Sequence, residues 1–257
     1  MVIDIHSHIL PNVDDGARSI EDSLMMAEKA VEEGITHIYA TPHHLNGHYE
    51  NDKEFVLNEV EKLNAHLKHN HIPLTVIAGQ ELRINGDLLE LMHDGDSMTL
   101  GNGGGYLLIE FSHSHIPRFS NKLLFDLRRN GYTPIIVHPE RNKEIMEEPN
   151  KLFDLVNNGC LAQLTAGSLL GKFGKKVQEV SHQLLEANLV HFLASDAHNI
   201  TSRGFFMQEA YDYIEKEYGA YLSIMLKENA EILMNSEMVI GDPPEVIKTK
   251  KKFLGLF

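Results

Sequence analysis

The most constraining feature of the sequence is a series of seven short apolar runs, rich in β-branched residues, with helical patterns between them. The runs are VIDI at 2–5, ITHIYAT at 35–41, LTVIAG at 74–79, YLLIEF at 106–111, TPIIVH at 133–138, CLAQLT at 160–165 and LVHFLA at 189–194. Runs that are apolar almost throughout are typical of strands buried on both faces of a parallel sheet. The alternation therefore predicts an α/β protein built from seven β/α units.

The segments between the runs carry recognisable helix signals. Ser19 is a suitable N-cap with Asp22 at the third position, and Gly34 ends the apolar period that follows. Two further helical stretches, 203–217 and 220–234, are expected after the seventh strand.

Seven parallel strands fit either an open doubly wound sheet or a barrel. No G-x-G-x-x-G follows an early strand, and GNGGG at 101–105 precedes a strand, so it is expected to be a loop and not a phosphate-binding turn. We therefore favour a closed or distorted barrel. Composition first changes at GDPPEV, 241–246, which predicts one domain over 1–240 and a tail over 241–257.

The charge balance narrows the functional classes. The chain has 23 Lys and Arg against 37 Asp and Glu, a formal net charge of −14. This argues against nucleic acid as a partner and against docking of the whole domain on an anionic membrane. A single cysteine, Cys160, allows no internal disulfide and favours a reducing, cytoplasmic setting. The first ten residues have neither the basic start nor the long apolar run of a signal peptide or transmembrane helix.

Imidazole and carboxylate side chains follow six of the seven predicted strands, at the point where each strand ends. In a β/α barrel these ends meet on one face, where active sites form. The candidate metal ligands are His6, His8, Asp15, His43, Glu81, Glu110, His138, Asp196 and His198. Any one of them alone is readily explained as a core or solvated residue, but their coincidence at one face favours a shared site. The sixth strand offers only Gln163 and Thr165.

The spacing of the first two histidines has its own physical reason. Residues two apart on a strand point the same way, so His6 and His8 can reach one ion, and Asp196 and His198 are expected to repeat that geometry. Oxygen and nitrogen donors without thiolate favour Mn²⁺, Fe or Zn²⁺. Nine candidates are too many for one ion and suit two or three.

The segments HSHILPNVDDG, ATPHH, GQE, LIEF, VHPER and SDAHN resemble the motif series of the polymerase-and-histidinol-phosphatase (PHP) superfamily. More narrowly, they resemble the manganese-dependent tyrosine-protein phosphatases encoded with bacterial capsule and exopolysaccharide operons. The similarity extends from residue 1 to about 235. It implies a distorted (β/α)₇ TIM-like barrel, a three-metal Mn²⁺ site built from the nine ligands, and two phosphate-contacting arginines, Arg141 and Arg203. It also implies that the substrate is a cytoplasmic autophosphorylating tyrosine kinase that controls polysaccharide synthesis.

The residues themselves support hydrolysis of a phosphate ester. A metal-bridging hydroxide can attack phosphorus, and arginine offers a planar fork that matches phosphate. A cysteine-based phosphatase is excluded, because Cys160 lies inside a predicted strand and Ala166 stands where the signature arginine would fall. The general acid stays unassigned, with His44 and Glu140 as candidates. The alternatives are another PHP phosphoesterase, either a histidinol-phosphate phosphatase or a nuclease, and a metal-stabilised interaction protein without turnover.

The tail combines lysines at 248 and 250–252 with apolar residues at its end. Such a segment can contact an anionic membrane or a membrane-bound kinase, without stable membrane insertion. The simpler interpretation is a frayed terminus, or one packed on the domain itself. We expect peptide hydrolysis without it.

Overall fold

The computed structural model describes residues 1–248, so residues 249–257 of the tail lie outside the described residues. Within that range nine strands, all paired in parallel, occupy the seven predicted positions. They are β1 (Val2–Ser7), β2 (Ile35–Ala40), β3 (His43–His44), β4 (Thr75–Ala78), β5 (Glu81–Arg83), β6 (Tyr106–Glu110), β7 (Thr133–Val137), β8 (Leu161–Thr165) and β9 (Phe192–Ala194). The predicted α/β class is confirmed. The second and third predicted strands, 35–41 and 74–79, are each followed by a short strand that was not predicted, β3 and β5.

The breaks between β2 and β3 and between β4 and β5 distort the barrel. Strands β1, β2 and β4 form one sheet, and β3, β5, β6, β7, β8 and β9 form the other. Pro42 interrupts the second strand position, because proline has no N–H to donate to a neighbouring strand. Its carbonyl accepts from the Glu81 N–H at 3.1 Å, which aligns the two short strands that follow. The chain thus passes from the first sheet to the second at two adjacent strand positions.

The last strand returns to the first at the face where the strands end. Ser7 and Ala197 form a parallel bridge, and the N–H groups of Asp196 and His8 donate to the carbonyls of His6 and Ala197, each at 2.9 Å. The strand order therefore runs once around a distorted seven-position barrel, as predicted. These same hydrogen bonds set the end of the chain's last strand beside its first histidines.

Ten α-helices lie in the described part of the chain, mostly between successive strand positions. They are α1 (Ile20–Glu32), α2 (Lys53–His69), α3 (Leu88–Asp94), α4 (Ser120–Arg129), α5 (Lys143–Glu147), α6 (Asn150–Asn157), α7 (Ala166–Leu169), α8 (Lys175–Glu186), α9 (Met207–Tyr218) and α10 (Ala220–Met234). The Ser19 side chain accepts from the Asp22 N–H and caps α1 as predicted. The helix expected at 203–217 begins only at Met207, because the side chain of Asn199 accepts from the N–H groups of Thr201 and Arg203 and holds a turn there.

Apolar side chains are buried on both faces of the strands. Ile3 and Ile5 pack inside the barrel with Phe192, while Leu107 and Ile109 belong to the layer between strands and helices. The interior of the barrel is therefore filled, and polar side chains gather where the strands end.

The described part of the tail lies against the domain. The Glu245 N–H donates to the carbonyl of Ala187 at 2.9 Å, and the backbone of Ile247 makes two hydrogen bonds with the side chain of Asn150. No helix within residues 1–248 is long and apolar enough to span a membrane.

Candidate metal centre and active site

The nine side chains predicted as metal ligands meet at the face where the strands end. The Nε2 atom of His6 lies 3.4 Å from Oε2 of Glu81 and 3.5 Å from Oδ1 of Asp196, and Nε2 of His8 lies 3.4 Å from the same two atoms. His138 reaches the other oxygen of Glu81 at 2.7 Å. The structure thus brings together residues that are separated by up to 190 positions in the sequence.

Three overlapping sets offer ligand atoms within 4.8 Å of one another. They are His8, Asp15, His43 and His198; His6, His8 and Glu81; and His43, Glu81 and Glu110. His8, His43 and Glu81 each belong to two sets. Shared ligands of this kind suit a centre of more than one ion.

The end of β1 presents both of its histidines to the cluster. Their Nε2 atoms lie 3.3 Å apart, while the hydroxyl of Ser7 between them points elsewhere and donates to the carbonyl of Tyr39 at 2.8 Å. This is the alternation of side chains expected along a strand.

The adjacent aspartates Asp14 and Asp15 lie on a tight turn and contact different histidines. Oδ2 of Asp14 lies 2.6 Å from Nδ1 of His8, and its Oδ1 accepts from the Gly16 N–H at 2.9 Å. Asp15 instead lies 3.4 Å from Nε2 of His43 and 3.3 Å from Nε2 of His198. A Cβ at Gly16 would lie 2.1 Å from the carbonyl oxygen of His8, so only glycine fits the turn.

Two candidate ligands have left-handed backbones that the sequence did not indicate. His138 has φ 36° and Asp196 has φ 52°, although both follow a strand and neither is glycine. The expected strand geometry of the Asp196–His198 pair is wrong, because β9 ends at Ala194. The pair lies on the turn beyond it, with Nδ1 of His198 2.9 Å from the Asp196 carbonyl. Such conformations persist only where surrounding contacts hold them, and they often mark functional sites.

The buried side chains of the cluster shift one another's pKa values. Burial alone would lower the pKa of His43, but the carboxylates of Glu81 and Asp15 outweigh burial and raise that pKa to about 10. Burial and the charge of Glu81 raise the pKa of Glu110 to about 7. Burial and Arg141 lower the pKa of His138 to about 4. The carboxylates therefore require nearby positive charge, which divalent cations can supply.

Buried polar atoms without hydrogen bonds provide the test of whether metal ions fit. Oε2 of Glu81, Oε2 of Glu110 and Nε2 of His198 are buried and make no hydrogen bond of good geometry with the described residues. Burying such atoms without well-formed hydrogen bonds is costly, even beside charged neighbours, whereas coordination to a cation satisfies them. All donors are carboxylate oxygens or imidazole nitrogens, the set that suits Mn, Fe or Zn. The residues present fit a metal centre.

Two arginines converge on one carboxylate at the edge of the cluster. Nη2 of Arg203 lies 3.2 Å from Oδ2 of Asp196, and Nη2 of Arg141 contacts the same oxygen. Arg203 also approaches Asp15, with 3.4 Å between Nη1 and Oδ2. The residues singled out from the sequence therefore lie directly beside the candidate ligands.

Three supporting residues were missed or given no role by the sequence reasoning. Gln163 and Asp14 contact the Nδ1 atoms of the two β1 histidines. Nη2 of Arg83 lies 2.8 Å from Oε2 of Glu110, and its Nη1 donates to the carbonyl of Phe111. The proximity of Arg83 to the cluster could have been predicted from the sequence, because Arg83 follows Glu81 by two residues on one strand and so lies on the same face.

Five of the nine candidate ligands, His43, Glu81, Glu110, His138 and Asp196, lie on the floor of an open cleft of about 760 Å³, and Asp15 and His198 line a separate cavity. The residues that line the cleft are His43, Glu81, Glu110, His113, His138, Arg141, Lys143, Met146, Glu147, Phe173, Lys176, Val177, Asp196 and Arg203. The two general-acid candidates, His44 and Glu140, do not line it. His44 is buried and accepts from the Asn51 N–H, and Glu140 is buried and accepts from the Thr165 N–H.

The chain is similar in sequence to known proteins over nearly its whole length. The model of a family described as capsular polysaccharide synthesis, CpsB/CapC, matches residues 2–235. The chain is 47% identical to the tyrosine-protein phosphatase YwqE of Bacillus subtilis over 252 residues, which cover 98% of this chain and 99% of the relative. It is 40% identical to the putative tyrosine-protein phosphatase CapC of Staphylococcus aureus over 256 residues, covering 99% of this chain and all of the relative.

Solved structures show the same likeness. A structure from work on YwqE of Bacillus subtilis and CpsB of Streptococcus pneumoniae, described as unique metal-dependent tyrosine phosphatases, superposes with a TM-score of 0.94 at 47% identity. The match covers 96% of this chain and 100% of the other. The phosphotriesterase homology protein of Escherichia coli superposes with a TM-score of 0.51 at 12% identity, over 90% of this chain and 97% of the other, which is a likeness of fold alone.

Proposed function

The chain belongs to the CpsB/CapC family of capsular polysaccharide synthesis, and we propose that it is a metal-dependent protein-tyrosine phosphatase that acts in the cleft above the nine-residue cluster. The observation that carries this proposal is that three overlapping ligand sets meet beside two arginines, and that five of the nine candidate ligands line one cleft together with both arginines. A relative named as a tyrosine-protein phosphatase aligns over 98% of this chain and 99% of its own length.

The proposed cofactor is Mn²⁺, with two or three ions held by the nine residues. The ligands would be His6, His8, Asp15, His43, Glu81, Glu110, His138, Asp196 and His198. Fe and Zn²⁺ use the same donors, so the donor set alone favours none of the three. Glu81 would be central to holding the ions, because one of its oxygens faces His6 and His8 while the other faces His138.

The chemistry that bound divalent ions supply is an activated water molecule and neutralisation of charge on the phosphate oxygens. Arg141 and Arg203 orient the phosphoryl group through their guanidinium forks. Asp196 holds both forks over the cluster. When the phosphorus–oxygen bond breaks, the electron pair stays on the tyrosine oxygen. Because a phenol has a pKa of about 10, this oxygen leaves without a strong general acid.

The proposed substrate is the phosphotyrosine of a cytoplasmic, autophosphorylating tyrosine kinase that controls capsular or exopolysaccharide synthesis. Support comes from the family description and from the relatives named as protein phosphatases. The single cysteine, Cys160, is buried and makes no disulfide, which agrees with a reducing compartment.

One assay separates this function from its alternatives. The purified full chain with Mn²⁺ is offered a phosphotyrosine peptide, the matching phosphoserine peptide, histidinol phosphate and single-stranded DNA. We expect fastest turnover of the phosphotyrosine peptide, and none after chelation. Glu81→Gln should lose metal and activity together, whereas Glu186→Gln, an exposed residue outside the cleft, should keep both. Preferred turnover of histidinol phosphate or DNA, or metal binding without turnover, would overturn the proposal.

A further inference from the structure

The cleft above the cluster has a charged floor and partly apolar walls. Met146 of α5 lines it together with Phe173, in the loop before α8, and Val177, in the first turn of α8. All three side chains are half-buried. The ester group of a phosphate held by the arginines on the floor would therefore have apolar side chains beside it.

The position of Phe173 is fixed from two directions. Its ring lies beneath the guanidinium of Arg141, with 5.3 Å between the guanidinium carbon and the ring centroid. The ring also packs against α7, where a Cβ on Gly167 would lie only 3.0 Å from Cε2 of Phe173. The absence of a side chain at Gly167 lets the ring approach this closely. Phe173 is thus placed in direct contact with an arginine proposed to bind phosphate.

We propose that Phe173, with Met146 and Val177, forms an aryl-binding wall that makes the site selective for phosphotyrosine over phosphoserine. This inference rests on the proposed phosphatase function and names the residues that determine its substrate class. A phosphotyrosine held by Arg141 would place its ring beside this wall, because Phe173 contacts that arginine, whereas a phosphoserine has no ring to pack there. Paired aromatic rings gain free energy beyond that of the buried area, which supplies the discrimination.

A purely structural role for Phe173 makes a different prediction. If the ring only supports Arg141 through the cation–π contact, its loss weakens every phosphate ligand by the same factor. If the ring also contacts the aryl group, its loss weakens aryl ligands more than alkyl ligands. The ratio of the two affinities therefore separates these roles.

The test uses calorimetric binding of phenylphosphonate and methylphosphonate to the metal-loaded full chain. These compounds are not hydrolysed, so the measurement does not depend on turnover. The variants are Phe173→Ala and Phe173→Tyr, with Phe125→Ala as the matched control, because Phe125 is an exposed phenylalanine of α4 outside this cleft. Metal content is measured for each protein.

We expect Phe173→Ala to reduce the preference for phenylphosphonate by about tenfold, and Phe173→Tyr and Phe125→Ala to retain it. Equal weakening of both ligands, or no change, would overturn the aryl-binding wall. The parallel assay of the unaltered chain on phosphotyrosine and phosphoserine peptides tests the function separately. Selective phenylphosphonate binding without phosphotyrosine turnover would overturn the function and keep the wall.

Discussion

Oε1 of Gln163 lies 3.0 Å from Nδ1 of His6, and both side chains are fully buried. An amide oxygen can only accept, so this contact places the proton of the imidazole on Nδ1. The Nε2 atom, which faces Glu81 and Asp196, is left with its lone pair. A partner of this kind fixes both the tautomer and the orientation of a metal-binding histidine.

Gln163→Leu should therefore weaken metal binding by about 10- to 100-fold, the usual effect of losing such a partner. Metal affinity is measured by titrating the chelator-treated protein with Mn²⁺, and circular dichroism checks the fold. Gln183→Leu is the matched control, since Gln183 is an exposed glutamine of α8 outside the cleft. Unchanged metal affinity in a folded Gln163→Leu protein would contradict the orienting role.

The contrast between Gln163 and the nine ligands shows what the sequence could reveal. The strands were predictable because their apolar runs are nearly continuous, and the ligands because carboxyl ends of barrel strands share one face. Gln163 lies inside β8, two residues before the strand ends, and an amide carries no ligand signature. The left-handed backbones at His138 and Asp196 are imposed by tertiary contacts, so no local pattern announces them. Phe173 is an ordinary loop residue until the fold sets it beneath Arg141.

The shared contact of two arginines with Asp196 leads to the second prediction. Arg141→Ala and Arg203→Ala should each lower kcat/KM for a phosphotyrosine peptide by about 100-fold or more, because a donor to the transferring group is lost. Lysine at either position should restore only part of the activity, since it keeps the charge without the fork.

Metal analysis must accompany these kinetics. Both guanidinium groups contact Asp196, itself a candidate ligand, so only a loss of activity at full metal content assigns them to phosphate. Arg118→Ala, an exposed arginine outside the cleft, is the control. Wild-type kcat/KM in both cleft variants would show that the assigned role is wrong.

Two exposed lysines on the walls of the cleft lead to the third prediction. Lys143 and Lys176 make no ion pair within 4.0 Å in the described part of the chain. They can attract acidic residues that flank a phosphotyrosine, although the chain as a whole has a charge of −14. Lys143→Glu combined with Lys176→Glu should raise KM for an acidic peptide about 3- to 10-fold at low salt.

That effect should fade at high ionic strength, because salt screens exposed charges. Lys122→Glu is the comparison variant, because Lys122 is an exposed lysine of α4. A KM increase that persists in 1 M salt would indicate a structural effect instead of charge attraction.

The fourth prediction concerns stability and His191. Burial lowers the pKa of this histidine to about 4, and its Nδ1 accepts from the Ala162 N–H. Unfolded, the ring takes up a proton below its ordinary pKa of about 6.5. The unfolded state thus binds more protons between these values, so the contribution to stability present at pH 7 is lost as the pH falls.

Compared with His191→Gln, the unaltered protein should lose about 2 kcal/mol more in free energy of unfolding between pH 7 and pH 5. Chemical denaturation at a series of pH values measures this difference. Both proteins are free of metal, so that pH-dependent metal binding does not contribute, and the titration of the candidate ligands is common to both proteins. Parallel pH curves would show that His191 takes up its proton equally in both states.

The last prediction concerns the two parts of the tail. Removing residues 249–257 should leave peptide turnover and the free energy of unfolding unchanged, whereas removing 241–257 also removes the hydrogen bonds of Glu245 and Ile247 to the domain. Three such bonds contribute about 1 kcal/mol each, so the longer truncation should lower that free energy by about 1–3 kcal/mol. No residue of 241–248 lines the cleft, so turnover at 25 °C should survive both truncations. Loss of turnover in either folded protein would show that the tail contributes to the active site.

Binding to vesicles of anionic lipid tests the basic segment separately. We expect at most weak association, and we expect it to disappear when residues 249–257 are removed.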